Sequence, residues 1–312
     1  MSSKAFNSAR SIDSLGSSSL KPIASAGILI IGDEVLNGKI LDTNSHNFAK
    51  FCFNKLSIPM KRTIVCGDDK DDIVNSLRIL VEQDKVDLII TSGGLGSTHD
   101  DITYSVLSEF YNINYELDNN VVARMHRLRG SYLDSLSQEQ LHAFYKMATL
   151  PVSKKPETTT ETIFLDEQLW FPIVAINHQV YVLPGVPQLF NRSIDELESY
   201  LKTRIVSSGS ALSRFYVKTK SNESEMAPFL TKLQNQVDGK YGVGTVKLGS
   251  YPHMDWKINT ISIIGKIPEI SKQNLRNIVQ EVVDGIGGNA AEIDQTEEDK
   301  MTNEAPPAKT SL

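Results

Sequence analysis

Cysteine is scarce in this chain: Cys52 and Cys66 are the only two in 312 residues. Their spacing fits no metal motif and both fall in predicted secondary structure. Buried free thiols in a reducing compartment are therefore expected rather than a disulfide framework. Excess positive charge is also lacking. The formal net charge of −6 leaves no basic stripe for a nucleic acid, so none is expected as a partner. No apolar run approaches the roughly 18 residues of a membrane helix, so no membrane partner is expected and a cytoplasmic protein is. The chain also has no Gly-Lys-Ser/Thr to end a Walker loop, no third glycine to complete a dinucleotide fingerprint, and no internal repeat.

At 40% hydrophobic residues, the chain has enough apolar surface for one large or two medium cores. Nine serines crowd its first 25 residues. Residues 1–23 read as a disordered tail, with a mitochondrial presequence as the alternative. The acidic end, residues 289–312, with Pro306-Pro307, also reads as disordered. A composition shift at Ser207-Ser208-Gly209-Ser210 marks a linker between domains spanning 24–206 and 207–288.

Strand and helix patterns alternate from about Ala24 to Asn112. Strands are predicted over 27–31 and 61–66 and up to Ile90, and helices over 43–56 and from Asp69. This alternation predicts an α/β fold, three layers about a doubly wound, mostly parallel sheet. Helices are expected over 119–131 and 137–148, then a hairpin of 173–176 and 180–183. The second unit reads as a smaller β-α-β-β-α, an α+β arrangement.

Two bends carry the candidate chemistry. Gly93, Gly94 and Gly96 follow the third strand and precede Ser97-Thr98-His99-Asp100-Asp101. Glycines there let backbone N–H groups approach a phosphate at a helix start. Gly32-Asp33-Glu34 ends the first strand and is followed by Asp42-Thr43-Asn44. In a sheet ordered 2-1-3 the two bends face each other at the switch-point crevice. Asp33, Asp100 and Asp101 together would suit a divalent metal bridging phosphate oxygens. The competing reading makes Asp42 and Asp100 helix caps and Glu34 a solvated loop residue. His99 reads as solvated rather than functional. The basic run Arg124, His126, Arg127 and Arg129 reads as a solvated face, and Trp170-Phe171 as core packing rather than a ring-stacking platform.

These motifs, with Gly67-Asp68-Asp69, Thr103 and Tyr181-Val182-Leu183-Pro184-Gly185-Val186-Pro187, resemble the molybdopterin-binding (MoaB/Mog-like) domain family. The likeness is to the competence-damage-inducible protein family and, more, to the N-terminal half of animal FAD synthases. It covers about residues 24 to 285. The resemblance implies a metal-dependent pyrophosphatase acting on a dinucleotide, FAD hydrolysed to FMN and AMP before ADP-ribose. The alternatives are molybdopterin adenylyl transfer and a non-catalytic flavin- or nucleotide-binding module. It implies Asp33 and Asp101 as the catalytic carboxylates that ligate the metal or position water, and Gly32, Gly93, Gly94, Gly96, Ser97, Thr98, Asp42, Asn44, Pro184 and Gly185 as the nucleotide-phosphate site. It further implies Asp33, Asp100 and Asp101 around Mg²⁺ or Co²⁺, K⁺ as a second ion, and a homo-oligomer. Ser97 stands where the family carries proline, and the bacterial Gly-Thr-Ala-Pro-Gly segment is replaced by Trp170-Phe171-Pro172. No reductase-like domain accompanies these motifs, so FAD synthesis is not expected of the chain.

Overall fold

Strands whose side chains are buried on both faces read as continuous apolar runs, and the central strands here are of that kind. The computed structural model describes residues 20–205 and 211–304. The chain divides into two compact units, Met1–Val206 and Ser207–Leu312. The expected linker at 207–210 and most of the expected N-terminal tail lie outside the described residues.

The first unit opens with β1 (Ala26–Ile31), α1 (Asp33–Leu36), α2 (Asn44–Phe51), β2 (Met60–Cys66), α3 (Lys70–Arg78) and β3 (Leu88–Ser92). It continues through α4 (Thr103–Phe110), β4 (Asn114–Leu117), α5 (Asn119–Leu133), α6 (Gln138–Tyr145), β5 (Thr149–Val152) and β6 (Thr160–Ile163). The strands β7 (Ile173–Ile176) and β8 (Val180–Leu183) and the helix α7 (Pro187–Lys202) complete it. The main sheet runs β2-β1-β3-β8-β7-β6. Its first four strands are parallel, β7 runs antiparallel to β8, and β6 antiparallel to β7. Alternation along β1 sorts the core: Ile28 and Ile30 meet Phe48 of α2 and Leu197 of α7. Leu29 and Ile31 meet Leu77 of α3, Leu107 of α4 and Met125 of α5. The expected three-layer α/β architecture is present. Asn177 and His178 both take positive φ, the backbone a two-residue hairpin turn needs.

Cys52 and Cys66 are buried free thiols. Burial pushes the Cys66 thiol up to about 12, as desolvation of a thiolate requires. The helix expected over 43–56 is α-helical to Phe51 and ends in a π turn, Cys52–Leu56. The β4–β5 pair, four residues a strand with β4 exposed, is too short to show in the sequence pattern. The tail expected over 1–23 is docked from Lys21 onward. Ile23 pairs with Ile205, and the Lys21 carbonyl accepts from the buried Arg204 guanidinium at 2.9 Å.

The second unit is β9 (Ala211–Thr219), α8 (Glu223–Tyr241), β10 (Val246–His253), β11 (Ile258–Ile267), α9 (Lys272–Ile286), β12 (Ala291–Ile293) and α10 (Gln295–Asn303). Its antiparallel sheet runs β10-β11-β9-β12. Here the acidic end departs from the expected disorder. β12 adds to the edge of β9 through backbone pairing, which composition does not reveal. Asp294 caps α10 by accepting from the Glu297 N–H at 2.8 Å, and Met301 is buried beside Tyr216 and Ile293. Met301→Ala is expected to cost about 2 kcal/mol, the low end for a buried methionine, because the cluster is small. Urea unfolding checks this; an unchanged midpoint would mean that α10 does not anchor the edge. Among the described residues no helix is long and apolar enough to cross a membrane.

Candidate functional site

Parallel strands end their carboxyl termini on one edge of the sheet, and ligands of open α/β sheets collect there. Three bends meet on this edge. Gly93 and Gly94, after β3, have φ of +113° and +64°, values glycine tolerates and other residues rarely adopt. A Cβ on Gly93 would stand 2.0 Å from the Ile31 carbonyl oxygen, so this bend lies directly against the end of β1. A Cβ on Gly185 would stand 3.1 Å from Gly93 Cα, which brings in the bend after β8.

Asn44, the first residue of α2, locks these bends together. Its Nδ2 donates to Ser92 Oγ at 2.9 Å and to the Gly185 carbonyl at 2.8 Å. The residue is 5% exposed, and its Oδ1 is buried without a protein hydrogen-bond partner. A buried acceptor left open costs about 1–3 kcal/mol, so the position favours a ligand that brings an N–H or O–H group. Asp42 supports α2 by accepting from the Ser45 N–H at 3.0 Å.

The glycine loop organises itself around Asp101. Gly96 N–H donates to Asp101 Oδ1 at 2.6 Å, and Thr98 N–H and Oγ1 donate to Oδ2 at 2.9 and 2.5 Å. Thr103 clamps the loop's start, its hydroxyl donating to the Gly93 carbonyl at 2.9 Å and its N–H to the Gly94 carbonyl at 3.2 Å. Among the described residues, the N–H groups of Gly94, Leu95 and Ser97 have no protein acceptor. They are donors of the kind that cradle phosphate oxygens. Lys146, just past the end of α6, donates to the Thr98 carbonyl and sets a cation beside the loop. Sequence pattern gave no sign of it, since it lies 48 residues from Thr98.

Asp33 turns towards β2. The Asp33 N–H donates to Asp68 Oδ2 at 3.0 Å, and the Asp68 N–H donates back to Asp33 Oδ1 at 3.4 Å. Burial pushes the Asp68 carboxyl up, the Asp33 N–H opposes this, and the charges of Glu34, Asp33 and Asp100 raise it further. Asp68 was not among the candidate site residues, although Gly67-Asp68-Asp69 closes the strand beside β1. The exposed Asp100 is held below the usual carboxylate range, first by the Thr98 side chain and then by its own N–H, with His99 and Lys146 assisting. It does not cap α4, whose N-cap is Ile102 with no side-chain cap bond. His99 is exposed, with Nδ1 3.9 Å from Asp100 Oδ1.

The two acidic bends thus share one edge, yet they do not build the expected metal centre. Both Asp101 oxygens are committed to loop donors, and one Asp33 oxygen faces the Asp68 N–H. Among the described residues, no group of three His, Cys, Asp or Glu side chains is disposed to hold a metal ion. With both Asp101 oxygens and one Asp33 oxygen held by protein donors, Asp33, Asp100 and Asp101 do not form a ready three-carboxylate set for a divalent cation. The basic run is structural in three of its members. Arg124 donates to the Asp166 carbonyl at 2.7 Å, Arg127 to Glu167 at 2.9 Å, and His126 bonds Tyr145 Oη at 2.7 Å.

A raised carboxylate pKa has a definite sign in stability. As pH rises, the unfolded Asp68 loses its proton before the folded one does, so this group's contribution falls as pH climbs through the folded pKa. Asp68→Asn keeps an acceptor for the Asp33 N–H and removes the repulsion. It is expected to gain stability near neutrality, by less than about 1 kcal/mol because solvent screens the half-buried site. The gain should vanish at low pH, where both side chains are neutral. Thermal unfolding from pH 3 to 8 checks this, and a gain that grew on acidification would refute it.

The family model described as a probable molybdopterin binding domain matches residues 27–203. A probable FAD synthase of Caenorhabditis elegans is 31% identical over 239 residues, covering 73% of this chain and 44% of that protein. A CinA-like protein of Mycolicibacterium gilvum is 36% identical over 171 residues, 53% of this chain and 38% of that protein. The chain thus spans less than half the length of these relatives. The crystal structure of the protein CinA from Thermoplasma acidophilum aligns with a TM-score of 0.48 at 24% identity, covering 57% of this chain and 98% of that chain. With more than half its length matched by that family model, the chain belongs to the probable molybdopterin binding domain family.

Proposed function

We propose that the crevice binds the diphosphate of a dinucleotide, FAD in first place, and that the chain hydrolyses it to FMN and AMP. The observation that carries this reading is the buried, unpartnered Asn44 Oδ1 beside a glycine loop with open N–H donors. The amides of Gly94, Leu95 and Ser97 receive phosphate oxygens, and Lys146 adds positive charge beside them. Asn44 Oδ1 accepts from a ribose or ribityl hydroxyl. Amides fixed in place before the reaction favour the charge that develops on phosphate as water attacks. The likeness to probable FAD synthases supports the flavin dinucleotide as ligand. A second reading, a pterin phosphate on the same loops, draws on the family description. No step here runs through Asp33, Asp100 and Asp101 as a metal set, because among the described residues no three such side chains are disposed to hold an ion.

Incubation of the purified chain with FAD, with and without Mg²⁺ or Co²⁺, followed by chromatography tests the proposal. Equimolar FMN and AMP, lost in Asn44→Ala, are expected. Tight FAD binding without products would make the chain a sensor, and no FAD binding would shift the reading to the pterin.

A further inference from the structure

A concavity lies between α5, the end of α6 and the segment that leads into β7. A cavity of about 630 Å³ is lined by Arg129, Tyr132, Phe144, Gln168, Trp170 and Phe171, among others. Four of these are aromatic and stand close: Phe144–Trp170 centroids are 5.7 Å apart, Trp170–Phe171 5.6 Å and Tyr132–Phe144 5.8 Å. Phe144 and Trp170 pack one side against the core, as expected of Trp170, yet both stay half-buried with Phe171, and Tyr132 is 52% exposed, so the rings keep open faces. Its polar groups are donors. Arg129 sits at a non-helical kink within α5, and unlike Arg124 and Arg127 it has no partner among the described residues. The Trp170 indole N–H has none either. Gln168 uses its carbonyl to accept from Arg192 at 3.3 Å, which leaves its amide N–H groups open.

The cavity adjoins the phosphate loops by topology. Trp170 and Phe171 lead into β7, whose pairing of Val174 with Val182 carries the preceding residues alongside Pro184. Leu189, another wall residue, lies in the first turn of α7, just beyond Gly185.

The geometry points to this aromatic cavity as the seat of a flavin's tricyclic ring, stacked against Trp170 with its carbonyl edge towards Arg129, Gln168 and the indole N–H. The inference rests on the dinucleotide reading above and assigns the cavity to the flavin half. Adenine suits it less, since its acceptors are single ring nitrogens interrupted by an amino donor, whereas the flavin ring system presents two carbonyl oxygens.

Binding measured by tryptophan and flavin fluorescence tests this, in a Trp256→Phe background so that Trp170 alone reports. The probes are riboflavin, which has the ring without phosphate, FAD, and ADP-ribose, which has the diphosphate without the flavin. Riboflavin is expected to quench Trp170. Read by isothermal titration, because this variant keeps no tryptophan to report ADP-ribose, Trp170→Ala should weaken FAD binding roughly tenfold, in the range measured for base–aromatic stacking, and leave ADP-ribose within about twofold. Arg129→Ala, on the exposed rim, should weaken FAD in the same selective way without disturbing the fold. Unquenched Trp170 with riboflavin, or equal losses for FAD and ADP-ribose in both variants, would overturn the assignment. If Asn44→Ala left both nucleotides bound while riboflavin still quenched Trp170, the phosphate-loop reading would fall and the ring site would stand.

Discussion

Gly93→Ala is expected to be the most damaging single-methyl change in the first unit. Its φ of +113° is a region where a side chain costs about 1–3 kcal/mol. The added Cβ would also sit 2.0 Å from the Ile31 carbonyl oxygen. That neighbour is backbone in a central strand and cannot rotate away. Overpacking of this kind costs about 1–3 kcal/mol more, for a combined loss of about 2–6 kcal/mol, a large share of a typical domain's stability. Urea denaturation should show the drop, and FAD affinity should fall with it because β3 must shift away from β1. Gly38→Ala is the control: its φ is +76° with nothing within 4 Å of the added carbon, so strain alone applies. Equal midpoints for the two variants would show that the bend does not press on β1.

The parts of the fold that the sequence made legible are those set by local pattern. The run Leu88-Ile89-Ile90 and the apolar pair flanking Asn177-His178 declare strands and a tight turn, because burial and positive-φ backbone are written into neighbouring residues. The order β2-β1-β3, a condition that pattern and crossover handedness alone do not settle, brings the two bends to one edge. Side-chain direction within the bends was a different matter. Asp101 folds back on Gly96 and Thr98 only because Gly93 and Gly94 turn the chain through positive φ, and Asp33 meets Asp68 only because β2 lies beside β1. Neither outcome is a property of spacing. The acidic end misled for a related reason. Its apolar anchors, Ile293 and Met301, are too few to show as a pattern, while edge pairing to β9 depends on backbone alone.

Asp101→Ala should separate the two roles open to this carboxylate. Three donors converge on it, and a hydrogen bond to a charged group is worth about 1.5–3 kcal/mol when sheltered; this loop is partly exposed, so a total loss of about 2–3 kcal/mol in local stability is expected. Freed of its tie, the loop no longer holds the Gly94, Leu95 and Ser97 amides in one arrangement, and the ordering entropy falls on the ligand. Affinity for FAD should therefore drop about a hundredfold, equivalent to about 2.7 kcal/mol, even in the presence of EDTA. Asp101→Asn, which keeps one acceptor oxygen, should retain part of the binding. A carboxylate acting on the reacting atoms would give the opposite pattern, with binding in EDTA unchanged and kcat alone abolished in both variants. Isothermal titration in EDTA beside turnover at saturating FAD distinguishes these outcomes. Unchanged affinity in Asp101→Ala would return Asp101 from the loop's framework to its chemistry.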